Sequence, residues 1–538
     1  MQHILKTSIY NSFYTDFLSK KISPLRFLPS IDTKDVAQLT MDIDPDSMIH
    51  KKVKKILVNQ NKDFSSAKAK KNLHDLLEPN SVIVITGQQL GLFMSPLYTI
   101  YKAITTVKLA EKLNSKYPWY KYIPVFWMET EDHDFKEVNH FGIWDKNNKP
   151  QKIVYSGLDL EKVSMRHYEI EQNIDELFSL LSEEMLLTEF SKELLSKLHK
   201  IYAKDKNWAE ASRNYLKSIF EESGLLLFNP GDKEIKNISI EFFTQLLHNA
   251  DEISESFAKR SKEIVTAGYN QQVPVIEGKT FIHIENDIMQ REHLYKERNQ
   301  YLLKKSSKSL SRGAVEVFIR EHPEKVSTSV VSRPVLQSWL LPVIAYVAGP
   351  GEIAYWAQLG SVFEKMEVKM PVIYPRLNAT LIEPKIARFI EKNKVDVENL
   401  QVNKQEFIDA YFKHSTGQKG EGVFDSTRQL FYDQKLKIKN FVKNIDPTLE
   451  MTVIKTFEKI ENQFSGLETK SIRAMERKNQ SLKNQLEQIH QAFFPEDKPQ
   501  ERFISIIYFI NKFGTDVIKQ IIEKLNLEID EHQIISIE

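Results

Sequence analysis

The stretch PVFWMETEDHDFKEVNH, residues 124–140, runs from an apolar segment straight into Glu129, Glu131, Asp132, His133, Asp134, Asn139 and His140. Mixed carboxylate and imidazole groups suit general acid–base work, a magnesium–nucleotide site or a zinc site. A carboxylate beside His133 raises its pKa or fixes its tautomer, so His133 with Asp132 or Asp134 is expected to act as a base or a positioned donor. The spacing matches no standard zinc pattern, and metal ligation stays open. A second group lies in VIVITGQQLGLFMSPLYTIYKA, residues 82–103. Gly87 and Gly91 permit close backbone approach, Gln88 and Gln89 offer amide donors and acceptors, and Tyr98 and Lys102 share a helix face by their four-residue spacing. Lys102 is placed to reach a phosphate or carboxylate. The turn is neither GxGxxG nor GxxxxGK[ST], so neither nucleotide fingerprint applies. A third group holds Arg333, Gln337, Glu352 and Tyr355, and YPRLNAT adds Arg376 and Asn378. Arg333 reads as an anion clamp, whereas Glu352 in a first helical turn also suits the helix dipole. Taken singly, each group is equally an ordinary solvated turn or cap.

These groups need a scaffold that brings strand ends together. Between residues 80 and 380 strand-then-helix patterns repeat, which favours an α/β fold with a parallel sheet and ligands beyond its carboxyl edge. Ser81 to Thr86 is a β-branched run, Gly87 to Met94 a turn, Ser95 an expected N-cap and Pro96 the first helical residue. Leu97, Ile100, Tyr101, Ile104, Val107 and Leu113 then mark one apolar helix face. Tyr122–Met128, LLLFNPGD, Val343–Ala348 and MPVIYPR supply further strands, and a helix is expected from about Glu352. Residues 150–325 look inserted: charged amphipathic helix with two short strand candidates, QVPVI and TFIHIE. Beyond Pro384 the chain is Lys/Glu-rich, with core-spaced residues from Phe457 to Phe493. A four-residue stutter predicts a coiled coil unwound near Ser471–Met475, with Asn479 fixing register from a core position. The organisation expected is a core over 1–384 with its insertion, a helical coiled-coil domain over 385–495, and C-terminal helices over 496–538 docking on the core.

The 538 residues exceed the roughly 250–300 at which one core stops growing. Lys+Arg 74 against Asp+Glu 73 leaves a formal +1, so no bulk charge draws the chain to nucleic acid or membrane. Cysteine is absent, which excludes disulfides, a cysteine nucleophile and cysteine-ligated zinc. The start, MQHILKTSIYNSF, lacks a leader pattern and no apolar run approaches roughly 18 residues, so a cytoplasmic protein is expected.

TGQQLGLFMSPLYTIYKA, PVFWMETEDHDFKEVNH, RPVLQSWLLPVIAYVAGPGEIAYWAQL and YPRLNATL together resemble the bacillithiol-synthesis cysteine ligase family, BshC, and QERFISIIYFINKFG resembles that family's ending. The resemblance implies a Rossmann-like core related to the class I nucleotidyl-transfer synthetases, connecting-peptide insertions, and a coiled coil through which members form homodimers. It implies that L-cysteine is joined to glucosaminyl malate in the last step of bacillithiol synthesis, with ATP and magnesium driving the ligation. In place of the HIGH signature this chain has the Gly87-Gln88-Gln89 turn, and KMEVK, residues 365–369, is a faint echo of KMSKS. Those departures support a second reading, a non-catalytic dimeric nucleotide-binding scaffold of the same pathway; a metal-dependent hydrolase built on His133 and His140 is a third.

Overall fold

The computed structural model describes residues 4–5, 12–28, 33–157, 163–397, 400, 403–419, 422–529 and 531–538, and most of the opening segment judged to lack a leader lies outside them. Met1–Leu381 with Glu501–Glu538 form one unit and Ile382–Gln500 another. In the first unit, β1 (Ser81–Gln89) leads through a short 3-10 turn into α1 (Leu97–Lys116), followed by β2 (Lys121–Glu129) and β3 (Leu226–Phe228). An inserted sheet then supplies β4 (Lys279–Glu285), β5 (Arg291–Glu297), β6 (Gln300–Leu303), β7 (Lys308–Leu310) and β8 (Val326–Thr328). α2 (Arg333–Leu340), β9 (Val343–Ala348), α3 (Pro350–Lys365) and β10 (Val372–Pro375) return the chain to the main sheet.

The main sheet has the order β10-β9-β1-β2-β3, with every pairing parallel. The chain builds outward from β1 to β3 and then crosses to β9 and β10, so the order reverses between β1 and β9. Such a reversal opens a crevice at the carboxyl ends of the strands. Central parallel strands are covered on both faces, which is why Val82–Ile85 and Ile123–Met128 are unbroken apolar runs, all buried. Leu97, Ile100, Tyr101, Ile104, Val107 and Leu113 of α1 are all buried too, each contributing about 1.5–3 kcal/mol.

Two boundaries differ from expectation. β1 continues past Thr86 because Gly87, Gln88 and Gln89 pair in register with Trp127, Met128 and Glu129, which satisfies their backbone groups. α1 begins at Leu97, and Pro96, extended at φ −83° and ψ −177°, is its N-cap in place of Ser95.

The inserted region carries the expected helices and, beyond the two strand candidates, a whole sheet. Its helices are joined by a five-stranded antiparallel sheet, β7-β6-β5-β4-β8. TFIHIE lies in β4, but QVPVI is no strand. Pro274 interrupts it, Val275 and Ile276 are exposed, and the Gln358 side chain accepts from the Gln272 and Val273 N–H groups at 3.1 and 2.9 Å. At the far end of the chain, helices Ile506–Phe513 and Asp516–Lys524 belong to the first unit, and a last strand, His532–Ser536, pairs with Ile4–Leu5.

The second unit is helical. α4 (Val423–Lys443) and α5 (Leu449–Lys478) run antiparallel, tied by Arg428–Glu461 at 2.9 Å, by an Arg428–Glu468 pair and by Lys439–Glu450 at 2.7 Å. Phe464 sits with its ring centroid 5.2 Å from those of both Phe424 and Phe431. Asn479 is exposed and not a core residue. Its side chain bonds back to the Met475 carbonyl at 2.9 Å and its backbone leaves helical angles, ending α5 there rather than unwinding it at Ser471–Met475.

Candidate active site

A cleft of about 600 Å³ lies at the carboxyl edge of the main sheet, where the strand order reverses. The ends of β1 and β2 bring Gly87, Gln88, Gln89, Glu129, Asp132 and His133 to it. α1 brings Tyr98 and Lys102, α2 Arg333, and the start of α3 Glu352 and Tyr355. Arg376, just past β10, also lines it. The inserted sheet closes the other side with Lys279, His283, Arg291 and His293.

Lys102 is almost fully buried. Its ammonium meets Glu352 Oε2 at 2.7 Å and Gln88 Oε1 at 3.1 Å, and donates to the Gly87 carbonyl. Burial pulls its pKa down and the Glu352 charge resists that. Glu352 accepts in turn from Gly349 N at 2.7 Å and from the Tyr346 hydroxyl at 2.8 Å. Burial alone would raise its pKa, but Lys102 and the Gly349 N–H hold it below the usual carboxylate range. These bonds fasten β1 to the start of α3.

Arg333 places Nη2 3.2 Å from the Tyr355 hydroxyl and Nε 3.4 Å from Glu129 Oε2. Its Nη1 is buried and has no hydrogen-bond partner among the described residues. A buried guanidinium nitrogen without an acceptor is costly, and the cleft is where an anion would supply one. Glu129 is pushed up to about 7 by burial, against the Arg333 charge and with help from Asp132 and Glu131.

Asp132 accepts from the Gln89 amide and, at 2.7 Å, from the His133 N–H. Burial would raise its pKa, but Arg291 and these bonds bring it below the ordinary value, so it stays anionic. Arg291 Nη1 lies 3.1 Å from His133 Nδ1; a guanidinium only donates, so His133 accepts there and carries its proton on Nε2.

Other sequence-picked residues serve the scaffold instead of lining the cleft. Asp134 caps helix Phe135–Val138, accepting from Glu137 N at 3.2 Å. Glu131 is buried against Lys236, with Arg166 at 3.9 Å. Asn139 bonds the Tyr155 carbonyl at 3.0 Å, and His140 Nδ1 lies 3.1 Å from the Lys136 carbonyl, so His133 and His140 do not form one site. Among the described residues no three His, Asp or Glu side chains are arranged to hold a metal. Gly91 is needed sterically, since a Cβ there would lie 2.2 Å from the Ser95 carbonyl oxygen. Gln337 is fully buried on α2, and Asn378 bonds the Tyr14 hydroxyl at 3.0 Å. Arg376 reaches the cleft but is already held bidentately by buried Glu501, at 2.9 and 2.6 Å. Lys365 of KMEVK pairs with Glu252 on the surface at 2.8 Å.

Sequence reasoning named Glu129, the last residue of β2, within its cluster but gave it no role, although its place at the end of an apolar run was the available signal. The inserted-sheet residues gave a weaker one, the short strand candidate TFIHIE.

The description "Bacillithiol biosynthesis BshC, N-terminal Rossmann-like domain" matches residues 3–377, and "C-terminal coiled-coil domain" of the same family matches residues 379–537. The chain belongs to the BshC family. Among BshC relatives curated as "Putative cysteine ligase BshC", one from Prosthecochloris aestuarii is 28% identical over 90% of this chain and 88% of its own. One from Bacillus licheniformis is 31% identical over 86% of each, and one from Desulforamulus reducens 32% identical over 85% of each. The first BshC match falls in the unit with the parallel sheet; the second covers the helical unit, Ile382–Gln500, and continues into the C-terminal segment that belongs to the first unit. No helix among the described residues is long and apolar enough to cross a membrane.

Proposed function

We propose that the chain is a ligase that joins the carboxyl group of L-cysteine to the amine of glucosaminyl malate, forming the amide of bacillithiol in the last step of its synthesis. The observation that carries this reading is one cleft at the sheet's switch point that holds both Arg333, whose buried Nη1 has no hydrogen-bond partner among the described residues, and Glu129, a carboxylate raised to about 7 beside Arg333 Nε. A free carboxylate is a poor electrophile, and ATP with magnesium supplies its activation. Arg333 holds the carboxylate and the charge that develops on it. The amine nitrogen attacks the activated carbonyl carbon, a C–N bond forms, the activating group departs, and Glu129 takes the amine proton. Lys102 acts indirectly, holding Gly87 and Gln88 against Glu352. His133 donates from Nε2, and Asp132 holds Gln89 in place.

The Gly351 N–H at the start of α3 supports nucleotide binding, since a helix N-terminus favours phosphate, while the Gly349 N–H is taken by Glu352 and Pro350 has none. Exposed Leu430, Tyr432, Phe441 and Ile445 on the helical unit support a homodimer, which light scattering tests. Purified protein given cysteine, ATP, magnesium and glucosaminyl malate should yield bacillithiol, read by mass spectrometry after thiol labelling. Arg333→Met should lose product. A folded wild-type protein that makes none overturns the ligase reading in favour of the scaffold.

A further inference from the structure

Lys279 is half-buried at the start of β4 and lines the cleft, yet it has no ion pair or side-chain hydrogen bond among the described residues. Burial alone acts on it, pulling its pKa below the ordinary lysine value. Arg502, which also lines the cleft without an ion pair among the described residues, is exposed and solvated, whereas the buried cations of the cleft are all paired. Lys102 has Glu352, Arg376 has Glu501, Arg333 has Glu129, and Arg291 has Asp132 at 4.0 Å. A partly desolvated ammonium without a counter-charge destabilises the empty protein and is explained if an anion completes it.

The surroundings say which anion. Lys279 shares the inserted-sheet side with His283 and His293, a directly opposed cross-strand pair whose ring centroids lie 3.9 Å apart. His283 is held neutral by burial and by the nearby Arg291 charge. It points Nδ1 at the Thr328 carbonyl at 3.1 Å, so Nδ1 carries the proton and Nε2 accepts from His293 Nε2 at 3.2 Å. Both His283 nitrogens are thus taken within the protein, and the ring places an uncharged, polarisable face beside Lys279 without adding charge. The helix N-terminus that suits phosphate lies on the parallel-sheet side instead.

From this juxtaposition we infer that the inserted sheet is the acceptor-binding side of the cleft, with Lys279 holding a carboxylate of a sugar-linked dicarboxylate beside the mutually bonded histidine pair. The ligand class is a hydroxyl-rich amine bearing an anionic aglycone. The inference rests on the ligase reading only for the name of that acceptor.

The test is equilibrium binding by calorimetry, on full-length protein without cysteine or ATP, of glucosaminyl malate and of methyl glucosaminide, a glycoside neutral in its aglycone that carries the same amine. Wild type should bind glucosaminyl malate tighter than the neutral glycoside by about tenfold or more, the range for a hydrogen bond to a charged group. Lys279→Gln should erase that preference, Lys279→Arg should keep most of it, and binding of ATP with magnesium should be unchanged in both. Because Lys279 has no partner to lose, Lys279→Gln should unfold no more readily than wild type, whereas a structural lysine would leave a less stable protein. Equal binding of the two glycosides, no binding of either, unchanged affinity in Lys279→Gln, or a loss confined to ATP overturns the inference. Lys279-dependent binding in a protein that makes no bacillithiol upholds it while the ligase reading falls.

Discussion

Glu129→Gln separates the chemistry of the cleft from its stability. Burial moves Glu129 from 4.5 to about 7 while 20% of its side chain stays open to the cleft. A rise of that size corresponds to about 3 kcal/mol, at roughly 1.36 kcal/mol per unit, and is an upper bound because the unfolded chain retains some structure. The sign follows from proton linkage. Between pH 4.5 and about 7 the folded protein holds a proton that the unfolded chain has released, so stability falls as pH rises through that window and levels off above it. Glutamine has nearly the shape of the protonated acid and does not ionise. At about pH 8 the variant should therefore be more stable than wild type by up to about 3 kcal/mol, and at about pH 4 the two should match. Urea unfolding at both pH values measures the difference. Activity should move the other way. Wild-type bacillithiol formation should rise with pH through about 7 as Glu129 ionises, and the variant should lose that limb and about 10²- to 10⁴-fold in rate. A variant less stable than wild type at the higher pH, or one that keeps the rising limb, refutes both the burial argument and the proton-acceptor role.

The Arg376–Glu501 pair is buried on both sides, so Glu501→Ala should strand a guanidinium and destabilise the protein by about 3–5 kcal/mol; the double variant Arg376→Met/Glu501→Leu should lose markedly less, by denaturant unfolding. Glu501 is held below its ordinary value by Arg376 despite burial, so its contribution is present above the unfolded-state value and is lost as pH falls through the folded one; acid unfolding of Glu501→Gln should lack that step. Gly91→Ala drives a Cβ to within 2.2 Å of the Ser95 carbonyl oxygen, so the turn must shift, with about 1–3 kcal/mol lost and slower product formation because Gln88 and Gln89 move with it.

What was legible in the sequence depended on how each element meets its neighbours. β1, β2 and β9 are central parallel strands covered on both faces, so their apolar runs announce themselves without any knowledge of partners. α1 shows its buried face by helical spacing alone. Unit 2 revealed its helices but not which residues face inward, since an antiparallel pair within one chain and a pairing between chains leave the same spacing; Asn479 and Leu467 occupy core-spaced positions yet are exposed. β5 gave almost no signal, because its cleft-facing side carries Arg291 and His293 where a core strand would carry valine or isoleucine. The apolar alternation that identifies a strand is what a ligand-facing strand must give up. The same reasoning accounts for Lys279, whose side chain has no partner among the described residues to betray its position; Arg376 was legible at a strand end, but its partner Glu501, 125 residues away in the chain, was not. Dense polar clusters at strand ends therefore pointed to one side of the cleft, and the opposite side emerged only when antiparallel pairing set His283 against His293.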